Sequence, residues 1–240
     1  MLKSAIQKII DLAAPNVQVI DGETYSDKQL QRISYIPYAD KITMNTLSSL
    51  IEYIKSGVDM FNGNMIIHVK SPTCVALYSA LDCERNREIV AEVVASVPEF
   101  AFNRFVNHEE FVIGVQSKFV DGNDNDKALL LKFAGTVEAG SVAEYGDDGV
   151  SQKATVKTGI ASKGDAIIPS PVRLKPFRTF VEVDQPVCSF IFRMKDDRCG
   201  GVQCALFEAD GGAWKIGAME AIKAYLVKEL EGFNNFIIIS

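Results

Sequence analysis

The spacing of apolar residues at the start of the chain predicts a short amphipathic helix. Leu2, Ile6, Ile9 and Ile10 fall at intervals that place them on one face of an α-helix, with lysines between them. Pro15 ends the pattern, because a proline inside a helix removes a backbone hydrogen bond. The sequence VQVIDG that follows predicts a short strand and a turn.

A second helical pattern lies in the segment ITMNTLSSLIEYIKSG, which begins at Ile42. Thr43 or Asn45 can cap its start, and Gly57 can close its end. The apolar stripe between them predicts a buried helix face formed by Leu47, Leu50, Ile51 and Ile54.

Residues 64–97 change from helical to β-type patterns. The segments NMIIHVK, TCVALYSAL and REIVAEVVAS are rich in β-branched residues and are separated by turn-forming residues. They predict three consecutive antiparallel strands. The third segment also fits a helix, since Ile89, Val90, Val93 and Val94 recur near the helical period, but its β-branched content favours a strand.

A helical hairpin is predicted near residues 107–140. In NHEEFVIGVQSKFV, Asn107 can cap a helix, with two glutamates in its first turn where the helix dipole favours them. One face of this helix is apolar and comprises Phe111, Val112, Val115 and Phe119. A short polar loop, DGNDN, leads to a second helix in DKALLLKFAGTVEAG, which closes near Gly140. Helices joined by so short a loop should pack antiparallel.

The rest of the chain is predicted to be mainly β-structure until one last helix. SQKATVKTGIASKG alternates polar and apolar residues, and the strands VCSFIFRMK and VQCALFEAD flank the turn DDRCGG. A helix follows in GAMEAIKAYLVKELEG, which Trp214 is expected to anchor to the sheet, and NNFIIIS is strand-like. The predicted class is therefore α+β, with antiparallel sheets and several packed helices.

Composition limits the size and setting of the protein. A chain of 240 residues that is 48% hydrophobic can form one domain, 1–240, with two intimate subdomains, 1–106 and 107–240, as the alternative. A net charge of −6 disfavours generic nucleic-acid binding. Five scattered cysteines suit a reducing cytoplasm, and there is no run of about 20 apolar residues for a membrane span. We therefore expect a cytoplasmic protein without a membrane partner.

Residues that commonly carry catalysis or metal binding are sparse and scattered. His68 and His108 lie in unrelated contexts, and no G-x-S-x-G nucleophile motif is present. Cys199 and Cys204 have no second pair, and the calcium-like loop at Asp121 lacks the required glycine and glutamate. No glycine-rich phosphate-binding motif is present. We therefore predict no catalytic residue, no metal site and no cofactor.

Charge is unevenly distributed along the chain. Residues 151–198 hold nine basic against five acidic residues, a local balance of +4, which leaves −10 for the rest of the chain. This asymmetry suits head-to-tail self-association, a basic pocket for an anionic ligand, or solvated strand edges. Four of these cations alternate with apolar residues and are candidate ligands for an anion: Arg173, Lys175, Arg178 and Arg193.

Two segments, IPSPVRLKPFRTFVEVDQPVCSFIFRMK and ALFEADGGAWKIGAMEAIKAYL, resemble an uncharacterised family from tailed bacteriophages and prophages, typified by the Escherichia coli prophage protein YfdQ. The helices NHEEFVIGVQSKF and TLSSLIEYIKSG are also similar to that family, so the resemblance runs from about Thr43 onward. It implies a phage or prophage product made in the bacterial cytoplasm, from genomes where such genes often lie among replication and recombination genes. It implies no catalytic residue.

These observations favour a non-enzymatic phage or prophage accessory protein that assembles with itself into a homo-oligomer, either a ring or a shell. The charge asymmetry suits contacts between different faces of identical subunits. A strand-like apolar segment near the end of the sequence is the expected interface: Phe236, Ile237, Ile238 and Ile239. One alternative is a binding protein that sequesters an anionic nucleotide signal in counter-defence. Another is an accessory factor in phage DNA recombination or replication that contacts a phage or host replication protein.

Overall fold

The computed structural model describes residues 2–28, 39–61, 63–82, 85–136, 142–147, 152–158, 162–167, 170–196 and 202–240. Contacts between residues divide the chain into two compact units, Met1–Ala39 and Asp40–Ser240. This division differs from the alternative at residues 106 and 107. The last helix and the last strand of the chain pack with strands from residues 65–94, so a boundary at 106 would cut through one hydrophobic core.

The first unit consists of a helix and a β-hairpin. Its elements are α1 (Leu2–Ala13), β1 (Val17–Ile20) and β2 (Glu23–Ser26), the two strands being antiparallel. Asp21 and Gly22 form the turn with φ of 52° and 85°, a left-handed conformation that Asp-Gly pairs favour in tight hairpins. Lys28 Nζ donates to the carbonyl oxygens of Leu12 and Ala14 at 3.2 Å each, which caps the end of α1. The predicted helix, strand and turn are confirmed.

The second unit combines helices and β-sheets, so the predicted α+β class is confirmed. In chain order its described elements are β3 (Ile42–Met44), α2 (Leu47–Ser56), β4 (Met65–Ser71), β5 (Cys74–Tyr78), β6 (Ile89–Val94), β7 (Val106–Asn107), α3 (His108–Lys118), α4 (Lys127–Thr136), β8 (Val142–Asp147), β9 (Gln152–Thr158), β10 (Ser162–Ile167), β11 (Val172–Leu174), β12 (Cys188–Asp196), β13 (Val202–Glu208), α5 (Trp214–Glu229) and β14 (Phe236–Ile239). The described helices all fall short of the length and apolar character that crossing a bilayer requires.

A five-stranded sheet has the order β14-β4-β5-β6-β3. Strands β4, β5 and β6 are antiparallel neighbours, which confirms the predicted three-stranded meander and the strand at residues 89–94. Both edge strands are parallel to their neighbours, β3 to β6 and β14 to β4. Helices α2 and α5 cover one face, and the core between them includes Leu47, Leu50, Ile54, Ile67, Leu77, Val93, Ile222 and Leu226.

The ends of α2 show how local side chains and backbone set a helix boundary. The N-cap is Thr46, whose Oγ1 accepts a hydrogen bond from Ser49 N at 3.2 Å. The predicted caps Thr43 and Asn45 are therefore wrong. Thr43 pairs within β3, and only Thr46 stands three residues before an unbonded first-turn N–H. Gly57 closes the helix with φ of 61°, as predicted.

A four-stranded antiparallel sheet with the order β11-β12-β13-β7 forms the second core with α3 and α4. Asn107 Oδ1 accepts from Glu110 N at 2.8 Å, which confirms the predicted cap of α3. The pairing of β12 with β13 is also confirmed, and the predicted turn between them lies outside the described residues. Buried members of this core include Phe111, Val115, Phe119, Leu130, Leu174, Phe190, Phe192 and Leu206.

Two long-range hydrogen bonds show that α3 and α4 are antiparallel. Lys127 Nζ, at the start of α4, donates to the carbonyl oxygen of Gln116 near the end of α3 at 2.9 Å. His108 Nε2, at the start of α3, shares a hydrogen bond with the carbonyl oxygen of Ala134 near the end of α4. The predicted helical hairpin is therefore confirmed, although its predicted end near Gly140 lies outside the described residues.

A third antiparallel sheet, of order β10-β9-β8, confirms the predicted β-structure of residues 142–147, 152–158 and 162–167. Helix α5 begins at Trp214, three residues earlier than the predicted Gly217. Gly211 and Gly212, with φ of 62° and 83°, form the turn before it. Trp214 packs against the second core, as expected for an anchor, and Ile222 is buried in the first. Helix α5 therefore contacts both cores.

The segment between β11 and β12 also joins the two cores. Phe180 is buried in the first core, and Thr179 Oγ1 donates to the carbonyl oxygen of Pro72. Glu182 Oε1 accepts from Ser48 N at 3.1 Å, at the start of α2. This segment and α5 frame a cleft between the two cores.

Candidate functional site

Strand β14 forms one edge of the five-stranded sheet. It pairs with β4 on one side, where Ile237 is opposite Ile66, and it has no strand partner on its other side among the described residues. Phe236 and Ile238 pack against the first core, whereas Ile237 and Ile239 are 48% and 43% exposed. The predicted interface segment is thus paired along one edge only.

The sheet face opposite α2 and α5 carries a charged group at its centre. Glu92 points to this face because side chains alternate along β6 and those of Ala91 and Val93 are buried in the core. Lys41 Nζ contacts Glu92 Oε2, and Lys70 Nζ lies 3.0 Å from Glu92 Oε1. Hydrogen bonds from these two ammonium groups lower the pKa of Glu92 to about 2.

A cleft of about 350 Å³ lies between the two cores, and we name it the Arg178 cleft. Its walls come from the segment after β6, the end of α3, the segment after β11 and the start of α5. The aromatic walls are Phe100, Phe102, Phe177 and Trp214. The charged lining consists of Lys118, Arg178, Glu208 and Lys215. The lining therefore combines flat apolar surfaces with an excess of positive charge.

Arg178 is held rigidly at the base of this arrangement. Its guanidinium lies 4.0 Å from the ring centroid of Phe102 and 4.6 Å from that of Trp214. Its Nη1 is 2.6 Å from Glu208 Oε1, and its backbone N donates to Gln185 Oε1 at 2.8 Å. The side chain is only 8% exposed. Stacking and ion pairing together fix the guanidinium against the second core and β13.

The four basic residues predicted from the sequence to bind an anion do not lie together in the structure. Arg178 lines the cleft, but Arg173, Lys175 and Arg193 are not among its described lining residues. Lys175 forms an ion pair with Asp124. Arg173 is exposed on β11, and Arg193 Nη1 donates to the neighbouring carbonyl of Phe192 at 3.1 Å. A shared anion site for all four is not formed in the described part of the chain.

The sequence patterns did not predict most of the residues that line the Arg178 cleft. Lys118, Glu208 and Lys215 gave no motif, since they lie far apart in sequence and on different elements. The one available signal was the aromatic spacing of the segment EFAFNRF, which contains Phe100 and Phe102. Such spacing alone is equally typical of core residues.

The groups considered for catalysis and metal binding are placed as follows. The ring of His68 lies 6.4 Å from that of Tyr78, and His108 is bonded to a helix carbonyl. Burial raises the pKa of the Cys188 and Cys204 thiols to about 12, so both stay protonated near neutral pH. Within the described ranges, no three His, Cys, Asp or Glu side chains are arranged to hold a metal ion. Cys199 lies outside those ranges.

Comparison with models of protein families, with curated proteins and with solved structures gave no match to this chain. The resemblance to the phage and prophage family therefore stays a prediction from the quoted motifs.

Proposed function

We propose that this chain is a non-enzymatic accessory protein that assembles with itself into a closed homo-oligomer, in a phage or prophage context. The observation that carries the proposal is the edge strand β14. Its four residues, Phe-Ile-Ile-Ile, include no charge, proline or glycine, and two of the four side chains are more than two-fifths exposed. An edge of this kind is a template for pairing with another strand.

Edge strands of proteins that remain monomeric usually carry a charge, a proline or a bulge. The opposite edge strand of this sheet, β3, begins directly after Lys41, whose ammonium group pairs with Glu92. The four residues of β14 include no charge and no proline, and its pairing with β4 has no bulge, which favours a further strand partner. A second copy of the same chain supplies that partner in every cell that makes the protein.

The first unit supports the same proposal from a different part of the chain. Helix α1 exposes aliphatic side chains on its surface: Ile6 is 50% exposed, Ile9 66%, Ile10 55% and Leu12 74%. An amphipathic helix normally buries its apolar face against another surface. We propose that a second copy of the chain covers this apolar face.

Light scattering with size-exclusion chromatography tests the proposal. We expect a wild-type mass of several subunits at micromolar concentration, and electron microscopy of the same sample then distinguishes a ring from a shell. Replacing Ile237→Lys and Ile239→Lys together should reduce the mass, because the two charges lie at the proposed contact and outside the core. The matched control is Ile113→Lys with Val227→Lys, at helix positions that are 55% and 54% exposed. A single-subunit mass for the wild type at all concentrations would contradict self-assembly.

A further inference from the structure

We propose that the Arg178 cleft binds a small planar anion, a ring system of about mononucleotide size that carries a phosphate or carboxylate group. The cleft is built from residues away from β14, so this proposal does not depend on self-assembly.

The size and walls of the cleft suit a flat ligand. Its volume of about 350 Å³ lies at the lower end of the range of about 300–1,000 Å³ for small-molecule sites. Phe100 and Phe177 line it without a cation over their rings in the described structure, whereas Phe102 and Trp214 are already stacked on Arg178. The ring of Phe100 already packs against those of Phe102 and Phe119, at centroid distances of 4.7 and 4.9 Å. Phe177 is therefore the aromatic surface left for a ring system.

The unbalanced charge of the cleft suits an anion. Arg178 and Glu208 neutralise each other as an ion pair. The remaining cations are Lys118, whose Nζ donates to the carbonyl of Glu99, and Lys215, whose Nζ lies 5.9 Å from the Trp214 ring centroid. Neither lysine forms an ion pair with a described residue, so two positive charges are left for a ligand.

The start of α5 adds one further feature that suits an acceptor. The helix N-terminus itself already has an acid beside it, because Asp210 Oδ1 accepts from Gly212 N at 3.0 Å just before the first turn. Trp214 Nε1 is buried and donates to none of the described residues. A buried donor without an acceptor destabilises the fold, and an oxygen of a ligand bound beside the indole would satisfy it.

Trp214 is the only tryptophan of the 240 residues, so its fluorescence reports directly on the cleft. The probes are adenosine monophosphate, as a nucleotide, and 2-naphthoate, as a planar anion that is not a nucleotide. We expect at least one to change the fluorescence saturably. Adenosine and inorganic phosphate should bind about tenfold more weakly than adenosine monophosphate, because each supplies only the ring or only the charge. Binding of adenosine monophosphate alone identifies nucleotides as the ligand class.

Charge-removal variants show whether binding occurs in the cleft. Lys118→Ala and Lys215→Ala should each weaken the affinity for the bound probe about tenfold. Lys228→Ala is the matched control, since it removes the same charge from the far end of α5 and should leave the affinity unchanged. Circular dichroism confirms that each variant is folded.

Three results would overturn the proposal. One is that neither probe changes the Trp214 fluorescence saturably. Another is an equal loss of affinity in the Lys228→Ala control. The third is a fluorescence change that follows protein concentration and not probe concentration, which would show that another copy of the chain fills the cleft.

Discussion

Glu92 is the centre of a small charge network on the face of the five-stranded sheet opposite α2 and α5. Its carboxylate contacts Lys41, which directly precedes β3, and Lys70, in β4, so it links segments on both sides of β6. The side chain of Glu92 is 17% exposed, and both lysines are more exposed. The network therefore stabilises the ionised form of one carboxylate.

The low pKa of Glu92 predicts a specific pH dependence of stability. The pKa is about 2 in the folded chain and about 4.3 for an unperturbed glutamate, so the ionised carboxylate stabilises the fold above about pH 5. This contribution is lost as the pH falls from about 5 to about 2. Glu92→Gln should therefore have a lower free energy of unfolding than the wild type at neutral pH. The difference in free energy between the two proteins should become smaller at about pH 2.

Urea denaturation of both proteins at the two pH values measures that gap. Glu52→Gln, which removes an exposed carboxylate from α2, is the control. A gap between the wild type and Glu92→Gln that is the same at both pH values would show that Lys41 and Lys70 do not act on the charge of Glu92.

Arg178 illustrates a cation whose role depends on its surroundings. On its strand-like sequence it is equivalent to Arg173, and both were candidates for binding an anion. In the fold its guanidinium is stacked on Phe102 and paired with Glu208, whereas Arg173 is exposed on β11. The lysines beside Arg178 in the cleft are the better candidates for a ligand, because their charges are not balanced by a described acid.

Helix α3 packs closely on the aromatic residues that precede it. A Cβ atom added to Gly114 would lie 2.9 Å from Cε2 of Phe100, whose ring packs edge-on against Phe119 at a centroid distance of 4.9 Å. Glycine within a helix normally costs about 1 kcal/mol relative to alanine. Here the missing side chain allows the helix to approach the cleft wall.

Gly114→Ala should therefore lower the free energy of unfolding by about 1 kcal/mol, because the overpacking cost of about 1–3 kcal/mol exceeds the gain in helix propensity. Gly135→Ala in α4 is the matched control, since its added Cβ meets nothing within 4 Å. That change should raise the free energy of unfolding by about 0.5–1 kcal/mol. Urea denaturation measures both, and a stabilised Gly114→Ala protein would contradict the close packing.

The proposed self-assembly would link the stability of the folded chain to its concentration. In that assembly a second copy pairs with the edge of β14 that has no strand partner among the described residues, which would stabilise the folded form by mass action. The same argument applies to the exposed face of α1, whose apolar residues need a surface to cover them.

The melting temperature of the wild type should rise with protein concentration. In the Ile237→Lys and Ile239→Lys double variant it should stay constant over the same range, because the paired edge cannot form. Differential scanning fluorimetry over a hundredfold dilution series makes the measurement. A constant melting temperature for the wild type would argue against strand pairing between copies, even if larger particles were observed.

Local patterns in the sequence predicted most of the helices and strands. The periodicity of α2, the cap at Asn107, the closing Gly57 and the three-stranded meander all depend on residues within a few positions of one another. Such signals are readable because a helix or hairpin satisfies its hydrogen bonds within a short segment. The predicted N-cap of α2 was wrong because Thr43, Asn45 and Thr46 are all residue types that can cap a helix. Only the position of the first helical turn decides which of them accepts a hydrogen bond from a backbone N–H of that turn.

The pairing of distant segments could be decided only by the tertiary structure. Strand β14 pairs with β4 across about 170 residues, and the cleft brings together residues from Thr73 to Lys215. Local hydrogen bonds and hydrophobic periodicity do not predict such contacts, because the contacts form only when two hydrophobic cores pack against each other. The composition and periodicity of the chain therefore specify its elements and class, whereas core packing specifies which strand edge stays open and which charges share a cleft.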